Sequence, residues 1–491
     1  MKKEDLAFMI KEGVEKAPTP PNLRSWKALF TIFGPGAIIA SLTIGSGELV
    51  WTPRAAAAFG YVMIWAFFYG VWVKCVIQWL ANRWHVLTGE SASLATKRVI
   101  GVWFNVFMLA CILAVMPMWM NILSSLSAMT AWTAVGKPGS VHPFWIAIVV
   151  LTLILLVYSA KIGKAYAVVE KISQALLWLM FIFLWLAVII GTRPDWGAFV
   201  SNLFIPRAIP PYEPWIEKAA PDIWSLTPFM LLGTALGALG GGIQDYVGYQ
   251  AMLKERGWGI LSYERYGEFV KIYHELGRIK TPLPEDSDSI SKIRQWLKVP
   301  AYDTFLSFFM VFIVTTPAVI LTIEVLRPLK MAPSGLALVT AQVKWLTETI
   351  HPTLGVIWWI GAFFAFWGTY YALWEVYNWT VYDMLRCSFK RLADVSINKV
   401  RLYLWTYILI VGAIFYATGF SLPILAAFAS AATHLFALSI WGIGLLILNL
   451  FYVPKAYRVN PIIAILVVIG SIVYFIYGII TLIQVFVPFK I

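Results

Sequence analysis

Residues 236–245 read Leu-Gly-Ala-Leu-Gly-Gly-Gly-Ile-Gln-Asp and lie inside a long apolar stretch, 224–251. Glycine is unfavourable in a helix, so this cluster indicates unwound or closely packed backbone. A second cluster, Ile44-Gly45-Ser46-Gly47-Glu48, interrupts the first apolar stretch, 30–55. Unwound backbone is tolerated at membrane depth where it lines a cavity. Two interrupted spans at matching positions in two halves of a chain therefore predict the binding site of a transporter.

The composition around the two clusters is that of a membrane protein. Of the 491 residues, 60% are hydrophobic and 13% are charged, and the mean hydropathy is +0.76. Soluble domains are about a quarter charged, and disordered chains are far less apolar. Because a membrane span must satisfy its own backbone hydrogen bonds, the sequence predicts an all-α integral membrane protein with the lipid bilayer as partner. The net charge of +13 does not indicate nucleic-acid binding, since the basic residues lie between apolar runs.

Eleven apolar segments are long enough to be membrane spans, which need about 20 residues. Most of the 38 Lys and Arg residues fall on the side of the N-terminus when these spans alternate across the bilayer. The excess of positive charge predicts a cytoplasmic N-terminus and an extracellular C-terminus in a multi-pass plasma-membrane protein. The predicted spans are 30–55, 60–82, 102–132, 144–160, 167–191, 224–251, 303–326, 354–384, 402–419, 421–450 and 461–488.

The spans suggest five regions along the chain. A cytoplasmic arm (1–29) precedes a first transmembrane repeat of five helices (30–191) and an extracellular loop (192–223). A second, inverted repeat of five helices (224–450) carries a cytoplasmic insertion at 252–302, and 451–491 supplies helix eleven. The insertion has both signs of charge, which favours a solvated cytoplasmic excursion, with a regulatory or gating role as the alternative.

The first two spans contain a series of short motifs. They are Gly34-Pro35-Gly36, Gly45-Ser46-Gly47-Glu48, Phe59-Gly60-Tyr61, Trp65, Gln78 and Thr88-Gly89. In these motifs the two spans resemble those of Nramp divalent-metal transporters, with a further similarity at Gly237-Ala238. The resemblance implies a LeuT-like fold with broken helices 1 and 6, alternating access, and a substrate site between these two helices.

The chain departs from the family at the metal site. Gly45 stands where the family has its metal-binding Asp, and Glu48 where it has Asn. In span six, the family's metal-binding Met falls near Gly241 and its following His near Ile243. Oxygen-only sites favour Mg²⁺, Ca²⁺ or Mn²⁺ over the metals that prefer sulfur. Because residues 104–129 of span three contain no acidic residue, the family's proton route lacks side chains here.

These features predict transport of a hard divalent cation, Mg²⁺-like or Mn²⁺-like, through an altered site. Glu48 is the predicted metal ligand, because a carboxylate within a span is costly and usually functional. No cofactor is expected, and the sequence does not predict the oligomeric state. The predicted substrate-binding residues are Gly45, Ser46, Gly47, Glu48, Ala238, Gly240, Gly241, Gly242, Gln244 and Asp245.

Two other functions fit the same residues. The glycines could expose N–H groups that bind the carboxylate of an amino-acid-like solute, with Glu48 pairing with its ammonium. Alternatively, the chain is a receptor or scaffold that has lost transport. An enzyme is not expected, because no nucleotide loop, nucleophile motif or His–Glu cluster occurs in the sequence.

Single residues also have structural alternatives. Glu48 could form an ion pair with Arg54 or Lys74, and Asp245 could cap the inner half of span six. His434 in span ten is interpreted either as a packed core histidine or as a gating or proton-handling residue.

Overall fold

The computed structural model describes residues 2–23, 25, 32, 44–162 and 165–487, and all regular elements in these ranges are helical. Gly34, Pro35 and Gly36 of the family resemblance lie outside the described residues. Before the second glycine cluster, the α-helices are α1 (Lys2–Lys16), α2 (Thr52–Phe59), α3 (Ile64–Thr88), α4 (Ala92–Val99), α5 (Val102–Ala134), α6 (His142–Ile162), α7 (Ala165–Gly191), α8 (Trp196–Phe204), α9 (Trp215–Ala219), α10 (Pro221–Trp224) and α11 (Pro228–Ala238).

The longest of the helices that the structure describes, with 35 residues, lies in the second half of the chain. Its α-helices are α12 (Ile243–Arg256), α13 (Tyr266–Glu275), α14 (Ser287–Leu321), α15 (Lys344–Thr347), α16 (Gly355–Ser388), α17 (Ile397–Ala417), α18 (Leu422–Ala429), α19 (Ala437–Phe451) and α20 (Pro461–Phe486). Gly47–Trp51, Thr322–Leu326 and Ser430–Phe436 are π-helical. Short 3₁₀ turns occur at Gly60–Met63, Gly259–Ser262, Gly335–Ala337, Ala341–Val343, Pro352–Leu354, Lys390–Leu392 and Lys455–Tyr457.

Within the described residues, 7 helical stretches are long and apolar enough to cross a membrane. Two shorter apolar stretches, His142–Tyr158 and Trp178–Gly191, accompany them. The predicted count of eleven spans stays a prediction. The 7 stretches are Gly47–Thr88, Val102–Ala134, Ser287–Leu326, Pro352–Ser388, Ile397–Ala417, Leu422–Phe451 and Pro461–Phe486.

The second glycine cluster breaks a helix into two halves. The outer half, α11, ends at Ala238, and the inner half, α12, begins at Ile243. Between them, Gly240 and Gly241 have φ values of +65° and +78°. Side chains with a Cβ are strained in this left-handed region, so the two glycines stop the helix at this point.

Long helices on either side hold the two halves in place. α16 packs along α5 and also against the inner half, α12. The outer half, α11, packs against the π-helical segment Ser430–Phe436. Trp358 and Trp374 of α16 are completely buried. The unwound segment 239–242 is therefore fixed by the helices around it.

The N-terminal arm is packed against the body of the protein. α1 contacts α13, α14 and the turn Gly259–Ser262, and its Leu6 and Ile10 are fully buried. Trp296 of α14 donates a 3.0 Å hydrogen bond to the carbonyl of Pro18. The arm therefore covers one end of the helical bundle.

The insertion at 252–302 is packed against the body of the protein on one face and exposed on the other. Phe269 and Tyr273 of α13 are fully buried. Arg98 of α4 makes a two-pronged ion pair with buried Glu90, at 2.7 and 2.8 Å, and donates to the carbonyl of Ile279 at 2.9 Å. Glu264 and Glu268 of the same insertion remain exposed. The insertion is thus solvated on its charged face and packed against α4 on its aromatic face, and its cytoplasmic location stays a prediction.

Part of the predicted insertion belongs to the membrane-crossing helix that follows it. α14 starts at Ser287, well before the predicted span boundary at 303. The Asp286 side chain accepts a 2.9 Å hydrogen bond from the N–H of Ser289 and caps the helix there. Hydropathy places a span boundary where apolar residues begin, whereas the helix begins at its cap.

Docking of the arm is expected to weaken on acidification. Hydrogen bonds from Lys16 and from the Tyr263 hydroxyl hold the pKa of Glu12 below its ordinary value. A group with a depressed pKa stabilises the docked state above its ordinary pKa and loses that contribution as the pH falls through the depressed value. The protection of α1 amides in hydrogen–deuterium exchange, corrected for intrinsic rates, should therefore decrease when the pH is lowered below about 4.

A matched pair of variants tests this assignment. Glu12→Gln should lower the protection of α1 already at pH 7. Glu15→Gln should leave it unchanged, since Glu15 contributes its backbone carbonyl, which accepts from Lys292 at 2.9 Å. Equal protection of wild-type α1 at pH 7 and pH 3 would contradict the role given to Glu12.

Candidate functional site

The two glycine clusters meet in the interior of the protein. A Cβ added to Gly47 would lie 2.2 Å from the carbonyl oxygen of Ala238 and 2.8 Å from its carbonyl carbon. Both are backbone atoms, so a neighbouring side chain could not relieve the clash by rotating. Gly47 is thus required for the first cluster to touch the end of α11.

Glu48 links the two clusters through a single carboxylate. Its Oε2 accepts a 2.9 Å hydrogen bond from the N–H of Gly45, and its Oε1 accepts a 3.2 Å bond from the N–H of Gly240. The side chain is fully buried. One predicted N–H group from each glycine cluster is therefore used by the protein's own carboxylate.

Arg54 is engaged elsewhere. Its guanidinium donates to Asp222 at 2.9 Å and to the carbonyl of Pro333 at 2.7 Å. The interpretation of Glu48 as the ion-pair partner of Arg54 is therefore wrong. Lys74 lies closer to the clusters, but it donates its hydrogen bonds to three backbone carbonyls of the broken helix.

Asp245 both caps the inner half-helix and retains a second oxygen. Its Oδ2 accepts a 2.8 Å hydrogen bond from the N–H of Gly242, which is the capping arrangement considered from the sequence. Its Oδ1 is buried and has no hydrogen-bond partner among the described residues. Capping therefore leaves half of this carboxylate available.

His434 orients the side chain of Gln244. The imidazole Nδ1 lies 2.6 Å from the carbonyl of Gly237, which can only accept, so Nδ1 carries the proton. In the neutral ring Nε2 is then an acceptor, and it takes a hydrogen bond from the Gln244 amide at 2.6 Å. The amide oxygen, Gln244 Oε1, is therefore the atom of this amide that does not contact His434. It is buried and has no hydrogen-bond partner within the described part of the chain.

A small cavity lies beside the contact between the two clusters and is lined by residues of both. Its volume is about 40 Å³, and a buried water needs about 10–15 Å³ of such space. Six of the ten predicted residues line it: Ser46, Gly47, Ala238, Gly241, Gln244 and Asp245. The other four, Gly45, Glu48, Gly240 and Gly242, form the hydrogen bonds that hold the two clusters beside it.

The rest of the cavity wall comes from distant spans. Trp119 of α5 stacks on His434 with ring centroids 5.0 Å apart. From the sequence, His434 is interpreted only as a core residue or as a gating or proton-handling residue, and the other residues of this wall are not assigned to the site. The wall residues that the sequence did not place at the cavity are Trp119, Leu123, Thr369, Leu373, Tyr377 and His434.

The atoms at the cavity that are available to ligate a metal ion are oxygen atoms. Among the described residues, no group of three His, Cys, Asp or Glu side chains comes together as a metal site would require. A bound cation would therefore depend on Asp245, the Gln244 amide, backbone carbonyls and water. The oxygen atoms include one of a carboxylate, Asp245 Oδ1, which favours a cation over an anion at the cavity.

The sequence matches the family model described as natural resistance-associated macrophage protein-like, Nramp, over residues 36–484. No curated protein matches the chain. The family match covers both glycine clusters and every described wall of the cavity.

Solved structures show a similar fold. A crystal structure of the Eremococcus coleocola manganese transporter with an aromatic bis-isothiourea substituted compound has a TM-score of 0.61 at 14% identity, covering 96% of this chain and 90% of that chain. A mutant of that transporter gives 0.61 at 15% identity, covering 96% and 91%. The predicted all-α, LeuT-like fold class is confirmed.

Proposed function

The chain belongs to the Nramp family, and we propose that it moves a hard divalent cation, Mg²⁺ or Mn²⁺, through the cavity between its broken helices. As a family member it is a membrane transporter rather than an enzyme. The cation would cross by alternating access, with the cavity opening to each side of the membrane in turn.

One observation carries the choice of a cation. Two buried oxygens, Asp245 Oδ1 and Gln244 Oε1, have no hydrogen-bond partner within the described residues and belong to side chains that line the same cavity. Burying unpartnered oxygen costs about 1–3 kcal/mol per group, so such atoms are expected to have a ligand in part of the working cycle. A carboxylate, an amide and water suit Mg²⁺ and Mn²⁺, which prefer oxygen ligands.

The contacts of Glu48 argue against an amino-acid-like cargo. The N–H groups of Gly45 and Gly240, which such a cargo's carboxylate would need, already donate to Glu48. The cavity of about 40 Å³ has room for about three waters, which is less than an amino acid needs.

The role of Glu48 as a metal ligand stays a prediction. Both of its oxygens accept backbone N–H groups, and it does not line the cavity. We propose Asp245 as the main metal ligand at the cavity and Glu48 as the residue that joins the two glycine clusters.

We further propose that the arm and the insertion face the cytoplasm of a plasma-membrane protein whose C-terminus is outside. The excess of Lys and Arg on that side supports this orientation. The arm and insertion pack against each other, so they must lie on the same side of the membrane.

The proposal predicts that divalent cations stabilise the purified protein and cross the membrane in liposomes. A ligand present at about 100 times its dissociation constant adds about 2.7 kcal/mol, which raises the melting temperature by a few degrees. Mg²⁺, Mn²⁺ and Ca²⁺ should be compared with amino acids, in thermal shift and in flux measured with an indicator inside the liposomes. A shift with an amino acid and none with any divalent cation would overturn the proposal.

A further inference from the structure

The broken helix contains a second oxygen-rich site, on the side of the unwound segment that Lys74 occupies. Lys74 lies on α3, is fully buried, and extends its ammonium to three backbone carbonyls. The distances from Nζ are 2.6 Å to Gly237, 2.5 Å to Leu239 and 2.8 Å to Gly241. These three carbonyls, which we call the carbonyl cage, lie at the end of α11 and in the segment that follows it.

The cage fits an ammonium ion in number and polarity. A charged lysine has three N–H donors, and three acceptors surround it here. A neutral amine would have two donors and would turn a lone pair toward the third carbonyl. The geometry therefore corresponds to a fully charged side chain.

The position of the cage explains why a cation is needed there. The last carbonyls of a helix have no partner within the helix and form the negative end of its dipole. In α11 this end lies inside the protein, where water does not reach the Gly237 carbonyl. Unwound carbonyls and half-helix ends are the groups that bind small coupling cations in transporters built from broken helices.

We propose that the carbonyl cage is a monovalent-cation site, and that Lys74 fills it as a cation fixed to the chain. The buried carboxylates of Glu48 and Asp245 lie near enough to act on Lys74 electrostatically and add to the preference for positive charge. The ammonium thus holds the end of α11 and the unwound segment after it together without a dissociable ion.

Removal of the side chain should convert the cage into a site for an inorganic ion. In Lys74→Ala, the Leu239 and Gly241 carbonyls lose the Lys74 donor and the Gly237 carbonyl keeps only that of His434. The space of the side chain is then available for Na⁺ and water. At constant ionic strength, NaCl or KCl should raise the melting temperature of this variant by at least about 2 °C relative to choline chloride. Wild type should show no difference among the three salts.

Lys74→Met is the matched control. The methionine side chain fills most of the space of the lysine stem without carrying charge. The Lys74→Met variant should therefore have a lowered melting temperature in all three salts, and Na⁺ or K⁺ should not raise it. A structural role for the lysine stem alone predicts the same response to salt for Ala and Met. A rise in melting temperature with NaCl or KCl that occurs in Lys74→Ala and not in Lys74→Met shows that the carbonyl cage binds the ion.

Three outcomes would overturn the proposal. They are a salt-specific shift in wild type, a folded Lys74→Ala that responds equally to all three salts, and a Lys74→Ala that folds in none of them. The readout uses monovalent salts without divalent cation, so the proposal can fail while divalent transport stands, and the reverse.

Discussion

Asp245→Asn is expected to remove the response of the protein to divalent cations. The substitution keeps the size of the side chain, and the amide oxygen can still accept the N–H of Gly242, so the cap on α12 should survive. What is lost is the negative charge on the oxygen at the cavity. Loss of a second-shell partner weakens metal sites by about 10–100-fold, so loss of a ligand should exceed about 100-fold in apparent affinity.

Glu48→Gln provides the matched comparison, because it is the same kind of neutralisation in the other glycine cluster, at a carboxylate that does not line the cavity. An amide has one oxygen, so it cannot accept from both Gly45 and Gly240 as the carboxylate does. This variant should therefore melt at a lower temperature while keeping a measurable affinity for the cation. If Glu48→Gln abolishes cation-dependent stabilisation and Asp245→Asn retains it, Glu48 is the ligand and our assignment is wrong.

Gly47→Ala is expected to abolish transport by separating the two clusters. The new methyl group would lie 2.2 Å from the carbonyl oxygen of Ala238, so backbone must move against backbone. Overpacking of this kind costs about 1–3 kcal/mol and sometimes more, which lowers the melting temperature by several degrees. Since the cavity lies between the same segments, the flux of divalent cation into liposomes should be lost even where folded protein is recovered.

Gly412→Ala serves as the control for this experiment. Gly412 is a helical glycine of α17, and its added Cβ would lie 3.7 Å from the nearest atom outside its own helix, the carbonyl oxygen of Pro117. An alanine there is in ordinary contact and favours the helix, so flux and melting temperature should match wild type or improve. Equal behaviour of the two variants would contradict the close contact at Gly47.

The two glycine clusters could be located from the sequence because glycine is unusual in an apolar helix. Six of the predicted residues line one cavity for this reason. The sequence could not show which carboxylate faces the cavity. Glu48 and Asp245 both follow glycines, and only the packing of the two segments turns the Glu48 oxygens toward N–H groups.

His434 and Trp119 could not be assigned because their spans are far apart in the chain. His434 lies in the π-helical segment Ser430–Phe436, where the extra residue per turn rotates side chains relative to an ordinary helix. A prediction from the ordinary helical periodicity of 3.6 residues therefore places His434 on the wrong face of the helix. The signal that was available is a histidine within an apolar span, which is costly unless it has partners.

The packed arm and insertion were missed for a different reason. Charge determined their interpretation, whereas their burial comes from side chains between the charged positions, such as Leu6, Ile10 and Phe269. Average composition describes which side of the membrane a segment occupies. It does not describe whether one face of that segment is packed.

The attachment of Lys74 to the chain has an energetic consequence for transport. A tethered ammonium cannot leave with the cargo, so it contributes no net charge to a transport cycle, and a divalent cargo moves two elementary charges. Membrane voltage supplies about 2.3 kcal/mol per charge for each 100 mV, or about 4.6 kcal/mol here. That corresponds to an accumulation of roughly 2,000-fold, so an electrical gradient alone is sufficient to concentrate such an ion inside a cell.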